Sequence, residues 1–459
     1  VPKEVVWNLE EIYMARFQYK TTPTQTEKAP PGIWHILTNE AAERFAYYGM
    51  ILILTEFMTK HLAGGVMSAG TAISWYHIFK SVTYVLPLIG AIIADLWFGK
   101  YKTIIFFSIL YCFGLLSITV DQSRFGLFSC MIFVAIGSGF IKPCVSANVG
   151  DQFGKSNQNL MVKIYNWFYF SINIGAFVGN FITPKLMNNP NYGPKWAFGL
   201  TFVMMTFATI VFWMGRKLYV HAPAAGKSFL KGIFSGEGLS AVRRLSVLFI
   251  IISAFFCLYE LSGSAWIIQV EKLNKHWLGY NWESSQVPSF NALFVLILIP
   301  VFAYVIYPAI NKFFKLNALR KIVIGMFLLI SPFLVIVWLE YRIRAGQVPS
   351  VGWQFLANLL LTAAEILVSI PCLEFAYTQA PRQMKSFIMS LYLAASIGVG
   401  NLLTFIINTL IKDSKLFKGP NYYWTFIVFM FVASVVFAVF AAFYKGKTYM
   451  QDEANQPAG

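Results

Sequence analysis

The chain has 459 residues, of which 57% are hydrophobic, 17% aromatic and only 12% charged. A soluble domain carries roughly 25% charged residues, so most of this surface faces something other than water. The net charge of +16 does not mark a nucleic-acid binder, because the basic residues are scattered between apolar spans and form no clustered face.

In chain order, residues 1–33 come first. Val5, Val6, Leu9, Ile12 and Tyr13 recur at near-helical spacing, with Glu10, Glu11 and Arg16 between them. This predicts an amphipathic interfacial helix, followed by the linker TTPTQTEKAPPG. Hydropathy then predicts twelve spans: 35–60, 71–97, 101–120, 125–147, 162–186, 196–218, 245–270, 287–312, 319–341, 352–378, 386–411 and 421–445. A bilayer crossing needs about 20 helical residues. Helices are expected because backbone groups in lipid must be satisfied within the segment, and the short alternating segments of a barrel are absent. The expected class is therefore an all-α, multi-pass membrane protein.

An even number of spans puts both termini on one side. On that arrangement 22 Lys and Arg fall in the termini and even-numbered loops and 11 in the opposite loops, which places the termini in the cytoplasm. The long connection at 219–244 begins HAPAAGKSF and splits the spans six and six. The expected organisation is an N-terminal cytoplasmic segment (1–33), a six-helix bundle (34–218), a linker (219–244), a second bundle (245–445) and a tail (446–459). Cys112, Cys130, Cys144, Cys257 and Cys372 all lie in or beside apolar stretches without a CxxC pair. They read as packing residues, with no metal site.

Charge inside the spans carries the functional signal, because a charge at the bilayer centre costs about 2.5 kcal/mol or more and usually faces a partner or a wet path. Glu40 and Arg44 lie one turn apart with Glu43 beside them. His77 and Lys80 share a face of the second span. Lys142, Glu260, Glu365 and Glu374 follow in later spans. Carboxylates that compete for shared cations suit a proton relay, and His77 adds a group that titrates near neutrality. Static ion pairs between helices are the competing reading of each residue. No HExxH, GxSxG or phosphate-cradling loop is present, so an enzyme is not expected.

The six-plus-six plan resembles the major facilitator superfamily, and GAIIADLWFGKYK (Gly90–Lys102) is similar to its signature loop. The resemblance implies that Asp95 and Lys100 pair with neighbouring helix ends and latch the inward side, with Glu260 as a further gating residue. Four motifs narrow the likeness. EAAERFAYYG (Glu40–Gly49) is similar to the ExxERFxYYG signature of proton-dependent oligopeptide transporters. FYFSINIGAF (Phe168–Phe177), SGFIKPCVSANVGDQF (Ser138–Phe153) and EFAYTQAPRQMKS (Glu374–Ser386) resemble that family's fifth, fourth and tenth helices.

This resemblance implies proton-coupled symport of di- and tripeptides. Glu40, Glu43 and Arg44 would form the coupling triplet, with Lys142 as its cation across to the fourth helix and His77 as a proton sensor. Tyr48, Asn173 and Asn291 would line the peptide site. Glu374 would receive the peptide amine and Lys142 its carboxylate, while Tyr47, Tyr169 and Trp266 would form tolerant walls. The family's second arginine is replaced by Ile51, and Lys80 is its expected substitute. Its usual eleventh-helix tryptophan is replaced by Leu391 and Tyr392. The expected partners are short peptides, protons as coupling ion and the lipid bilayer, with no other cofactor. The expected location is the plasma membrane, or the inner membrane of a bacterium. A carrier of nitrate, amino acids or drug-like molecules on the same frame, and a peptide-sensing receptor, stay open. Oligomeric state is not legible.

Overall fold

The computed structural model describes residues 19–444 apart from 24–25, 225, 227–233, 380–384, 412–413 and 415–418. The expected amphipathic helix before residue 19 and the tail at 446–459 lie outside these residues, as do the side chains of Asp95 and Glu374. Twelve long helical units occur among the described residues.

In the first half these are α1 (Ile33–Lys60), α2 (Ala69–Ile93, continued by the π-turn Ala94–Phe98), α3 (Lys100–Val120), α4 (Arg124–Asp151), α5 (Met161–Met187) and α6 (Gly193–Met214). The second half holds α7 (Gly236–Tyr259), which breaks into a 3-10 turn (Glu260–Gly263) and resumes as Ala265–Val270. Then come α8 (Phe290–Val301, entered through the 3-10 turn Ser284–Ser289) and α9 (Ala318–Leu328 with Ile330–Arg344). They are followed by α10 (Gly352–Thr378), α11 (Lys385–Tyr392, Leu393–Gly398 and Val399–Ile411) and α12 (Pro420–Phe443).

Local chemistry sets many of these ends. Ser68, Ser123, Ser235 and Asn317 cap α2, α4, α7 and α9 by accepting from backbone N–H groups, which satisfies donors that have no partner within the helix. Pro194 and Pro420 open α6 and α12, where a missing N–H costs nothing. The expected spans match most of these helices within a few residues, with four differences. Helix α7 begins at Gly236 rather than 245, inside the expected 219–244 linker. Helix α4 runs on to Asp151 rather than ending at 147. The seventh span is broken at Glu260. A small hairpin, β1 (His276–Trp277) with β2 (Tyr280–Asn281), joins α7 to α8.

Ten of the helices are long and apolar enough to cross a membrane by composition. Helices α1 and α5 are not among them. Helix α1 has Glu40, Glu43, Arg44, Glu56 and Lys60 along one stretch, and α5 carries Asn173, Asn180 and Lys185. Both are packed into the bundle instead. Gly175, Gly179 and Thr183 recur every fourth residue on α5 and meet Ala41, Phe45 and Gly49 on α1. A Cβ on Gly179 would stand 2.6 Å from the Phe45 carbonyl oxygen, and the Thr183 hydroxyl donates to the Gly49 carbonyl at 2.8 Å. Small residues at this spacing let two backbones approach closely.

Apolar burial forms two main cores. One gathers residues from Ile33 to Tyr219, and the other gathers residues from Leu245 to Phe437 with Ile73 reaching in from α2. The stretch after Tyr19 lies against the first half. Lys20 bridges Val220, His221 N–H donates to the Lys20 carbonyl at 2.7 Å, and Ser156 exchanges hydrogen bonds with the Thr26 backbone.

Candidate functional site

A cavity of about 390 Å³ lies between the halves, lined from α1, α2 and α5 on one side and α7, α8, α10 and α11 on the other. Tyr48, Lys80, Tyr169, Asn173, Glu260 and Asn291 all face it. Ile51 faces it too, at the position where the resemblance calls for arginine. Lys80 Nζ reaches across from α2 to Glu260 Oε2 at 3.0 Å, both side chains being buried. The break in α7 after Tyr259 brings Glu260 to this point. Gly263 in the same turn packs so closely on the Tyr76 ring that a side chain there would collide.

The α1 triplet lies beside the cavity. Arg44 Nε pairs with Glu40 Oε1 at 3.0 Å, and its second guanidinium arm pairs with Glu43; all three are buried. One cation therefore serves two carboxylates. The expected pairing of Lys142 with this triplet is not formed. Lys142 Nζ instead lies 4.0 Å from the Tyr47 ring centroid and 4.6 Å from that of Tyr84, without a hydrogen-bond partner among the described residues. Arg44 lies on the glutamates' own helix and captures both of them, leaving Lys142 to aromatic faces, which attract a cation through the ring quadrupole.

His77 is fully buried and joins the halves: Nδ1 lies 2.8 Å from Asn401 Oδ1 on α11, and Nε2 lies 2.9 Å from Ser264 Oγ after the α7 break. Lys100 pairs with Asp151 at 2.6 Å, tying the start of α3 to the end of α4. Gly99, just before Lys100, has φ +71°, a conformation that favours glycine.

Two expected wall residues are not walls. Trp266 is buried in the second core against Phe333, with ring centroids 5.3 Å apart. Tyr47 is buried behind Tyr48 and holds Lys142. An aromatic span residue reads alike in sequence whether it faces a cavity or a core, and helix rotation decided against both. The residues that sequence reasoning left without a role include Tyr84, Tyr259, Glu365 and Tyr392, all on the cavity. The Glu365 carboxylate accepts from Asn291 Nδ2 at 2.7 Å and from the Tyr259 hydroxyl. Its intramembrane charge was the available signal. Tyr392 occupies α11 where the family's tryptophan was expected.

At the end of the bundle where α1 finishes, the halves are closed on each other. Lys60 Nζ lies 3.1 Å from Glu56 and 2.6 Å from Glu271. Asn188 donates to Glu56 at 3.0 Å and to Glu283 at 2.8 Å, and Ser285 donates to Glu56. Glu271 also pairs with Lys275 at 3.0 Å. Burial alone would raise the Glu271 carboxyl, but Lys60, Ser284 and Lys275 outweigh it and hold the group below the usual carboxylate range. Burial, and then the nearby Glu56, push Glu283 the other way.

Twelve helices in two halves around a central cavity with charged walls define a multi-pass integral membrane protein of the major facilitator type. Residues 101–236 and 234–425 match the model of the POT family, and the chain belongs to that family. It is 32% identical over 69% of its length to peptide transporter family 1 of Drosophila melanogaster, covering 48% of that protein. It is 32% identical over 74% of its length to human solute carrier family 15 member 2, covering 53% of it. The chain thus spans about half the length of the curated relatives it matches. Among solved structures it is similar to the POT family transporter PepTSo, with 31% identity and a TM-score of 0.83 over 90% of this chain and 98% of that one. An auto-inhibited POT family peptide transporter gives 28% identity and a TM-score of 0.82 over 94% and 99%.

Proposed function

We propose that this protein carries di- and tripeptides together with protons across a membrane by alternating access. The observation that carries the reading is the cavity between the halves, where the interhelical Lys80–Glu260 pair faces the centre and the Glu40–Glu43–Arg44 triplet lies beside it. Membership of a family whose relatives are named peptide transporters supports the choice of cargo.

The triplet is the coupling element. A proton on Glu43 or Glu40 removes one negative charge from Arg44, loosening α1 against its neighbours; loss of that proton restores the pair. Lys142, held on Tyr47 and Tyr84, is positioned to answer the change in charge. The peptide carboxylate competes with Glu260 for Lys80, which fills the role vacated at Ile51. Glu374 on α10 receives the peptide amine. Binding a peptide by its two ends tolerates varied side chains, and Tyr48, Tyr169, Asn173 and Asn291 line the space between. His77, bridging to Ser264 and Asn401, reports protonation to the contact between halves. Asp95 and Lys100 belong to the latch on the opposite side from the closed end.

The two bundles are residues 34–218 and 245–445, joined by the 219–244 linker. The basic loops support cytoplasmic termini, with the closed end outward, in the plasma membrane or a bacterial inner membrane. Peptide-dependent proton uptake into reconstituted vesicles tests the function. Di- and tripeptides should drive it, and nitrate and free amino acids should not. Uptake driven by nitrate or amino acids alone would replace the cargo, and peptide binding without flux would make the protein a receptor.

A further inference from the structure

At the end of the bundle away from the Lys60–Glu271 contact, α8 continues through a π-turn (Phe302–Ile306) and one further turn (Tyr307–Asn311) before the chain passes to α9. This passage carries Lys312, Lys315, Arg320 and Lys321 within ten residues, and no Asp or Glu occurs between Glu283 and Glu340. Among the described residues no carboxylate pairs with any of the four. Hydrogen bonds fix the turn nonetheless. Asn311 Oδ1 accepts from the Leu316 N–H at 2.9 Å, and Asn317 Oδ1 accepts from the Arg320 N–H at 2.9 Å. Arg320 Nη1 donates to the Lys315 carbonyl at 2.6 Å, which turns the guanidinium toward the loop. Lys321 Nζ lies 4.3 Å from the Tyr307 ring centroid. Beside these cations Phe313 is 87% and Tyr304 83% exposed, and Phe314 is exposed as well.

We propose that this turn binds an anionic phospholipid of the bilayer, with Lys312, Lys315 and Arg320 on its phosphate and Phe313 and Phe314 against its acyl chains. Two observations select a lipid. Cations and exposed aromatic rings adjoin on one fixed turn. A small anion in water has no use for the rings, whereas a phospholipid presents charge and hydrocarbon side by side. Arginine's planar fork matches phosphate oxygens, and lysine lays its stem along apolar surface while keeping its ammonium at the level of the headgroups. Second, the turn lies on the side of the basic loops, which the charge bias makes cytoplasmic, and the cytoplasmic leaflet is the one that attracts basic segments through its anionic lipids. A lipid held here tethers the α8–α9 end of the second bundle to that leaflet. Such binding does not depend on which solute the cavity carries.

The test reconstitutes the full chain in phosphatidylcholine nanodiscs with a trace of photoreactive lipid, and maps the crosslinked peptides by mass spectrometry. The probe is either phosphatidylglycerol, whose only charge is its phosphate, or phosphatidylcholine, whose phosphate is offset by choline. In the wild type, labelling of residues 301–321 by the first should exceed that by the second by about tenfold or more, since each Lys or Arg near an anionic surface contributes roughly fivefold. In Lys312→Gln combined with Lys315→Gln and Arg320→Gln the ratio should fall close to one. Lys312→Arg with Lys315→Arg keeps the charge and should keep the ratio. A wild-type ratio near one, or a ratio unchanged in the glutamine variant, would overturn the proposal. An equal loss in the arginine variant would assign the effect to the shape of the turn rather than its charge, and would overturn it as well. So would abolition of the labelling by millimolar glycerol 3-phosphate, which would make the turn a site for soluble phosphates.

Discussion

Single residues divide into those whose charge moves and those that merely hold a helix. Glu43 is buried against Arg44 with Glu40 on the same cation, so removing its charge should uncouple the proton without destroying the cavity. Glu43→Gln should abolish accumulation driven by a pH gradient and retain counterflow exchange; undiminished accumulation in the vesicle assay would refute the coupling role. Lys80 is different, because its partner lies in the other half. Breaking a buried ion pair by deleting one member leaves the other uncompensated, at a cost of about 3–5 kcal/mol. Lys80→Ala should therefore weaken peptide affinity by at least about tenfold, and Lys80→Arg should restore most of it. Unchanged affinity in Lys80→Ala would end the proposal that this lysine replaces the arginine missing at Ile51.

At the scale of helices, the α1–α5 contact positions the triplet. Its close approach depends on Gly175 and Gly179, whose Cβ positions are taken by the α1 backbone. Overpacking such a contact costs about 1–3 kcal/mol. Gly179→Leu should lower the melting temperature in detergent and impair proton-driven uptake together, since α1 would be displaced with its charges. The motif residues around Glu40 and Asn173 were legible because their spacing survives in the sequence. Helix rotation was less so. Trp266 and Tyr48 are both aromatic residues in apolar spans, yet one packs on Phe333 and the other faces the cavity. Likewise, the excess of carboxylates was readable, but their distribution was not. Two share Arg44, one takes Lys80 and one, Glu365, is held by neutral groups.

For the whole molecule, the question is which end opens. The Lys60–Glu271 pair ties the halves where α1 ends. Because Glu271 is held below its ordinary range in this closed arrangement, its contribution to closure is present above that range and is lost as pH falls through the lowered value. Glu283 acts in the opposite sense: it is raised, so closure favours its protonated form, and its contribution fades as pH rises through the raised value. Lys60→Met should open this end. A cysteine introduced at Ile51 in the cavity should then react faster with an impermeant thiol reagent, and the acceleration that acid produces through Glu271 should flatten. A labelling rate unaffected by Lys60→Met would show that this pair does not hold the gate.

Composition and hydropathy by themselves determined a helical, multi-pass membrane protein, because a bilayer selects long apolar segments whose backbone bonds close internally. The sequence also determined the charged triplet, since Glu40 and Arg44 stand one turn apart on any helix. Tertiary structure alone decided everything that requires two helices to meet. It set Lys80 on Glu260, gave His77 its partners on α7 and α11, placed Lys142 on tyrosine rings rather than on the glutamates, and left Glu365 facing the cavity. Those outcomes depend on helix rotation, on the break in α7 and on the close packing at small residues, none of which the spacing along one helix specifies.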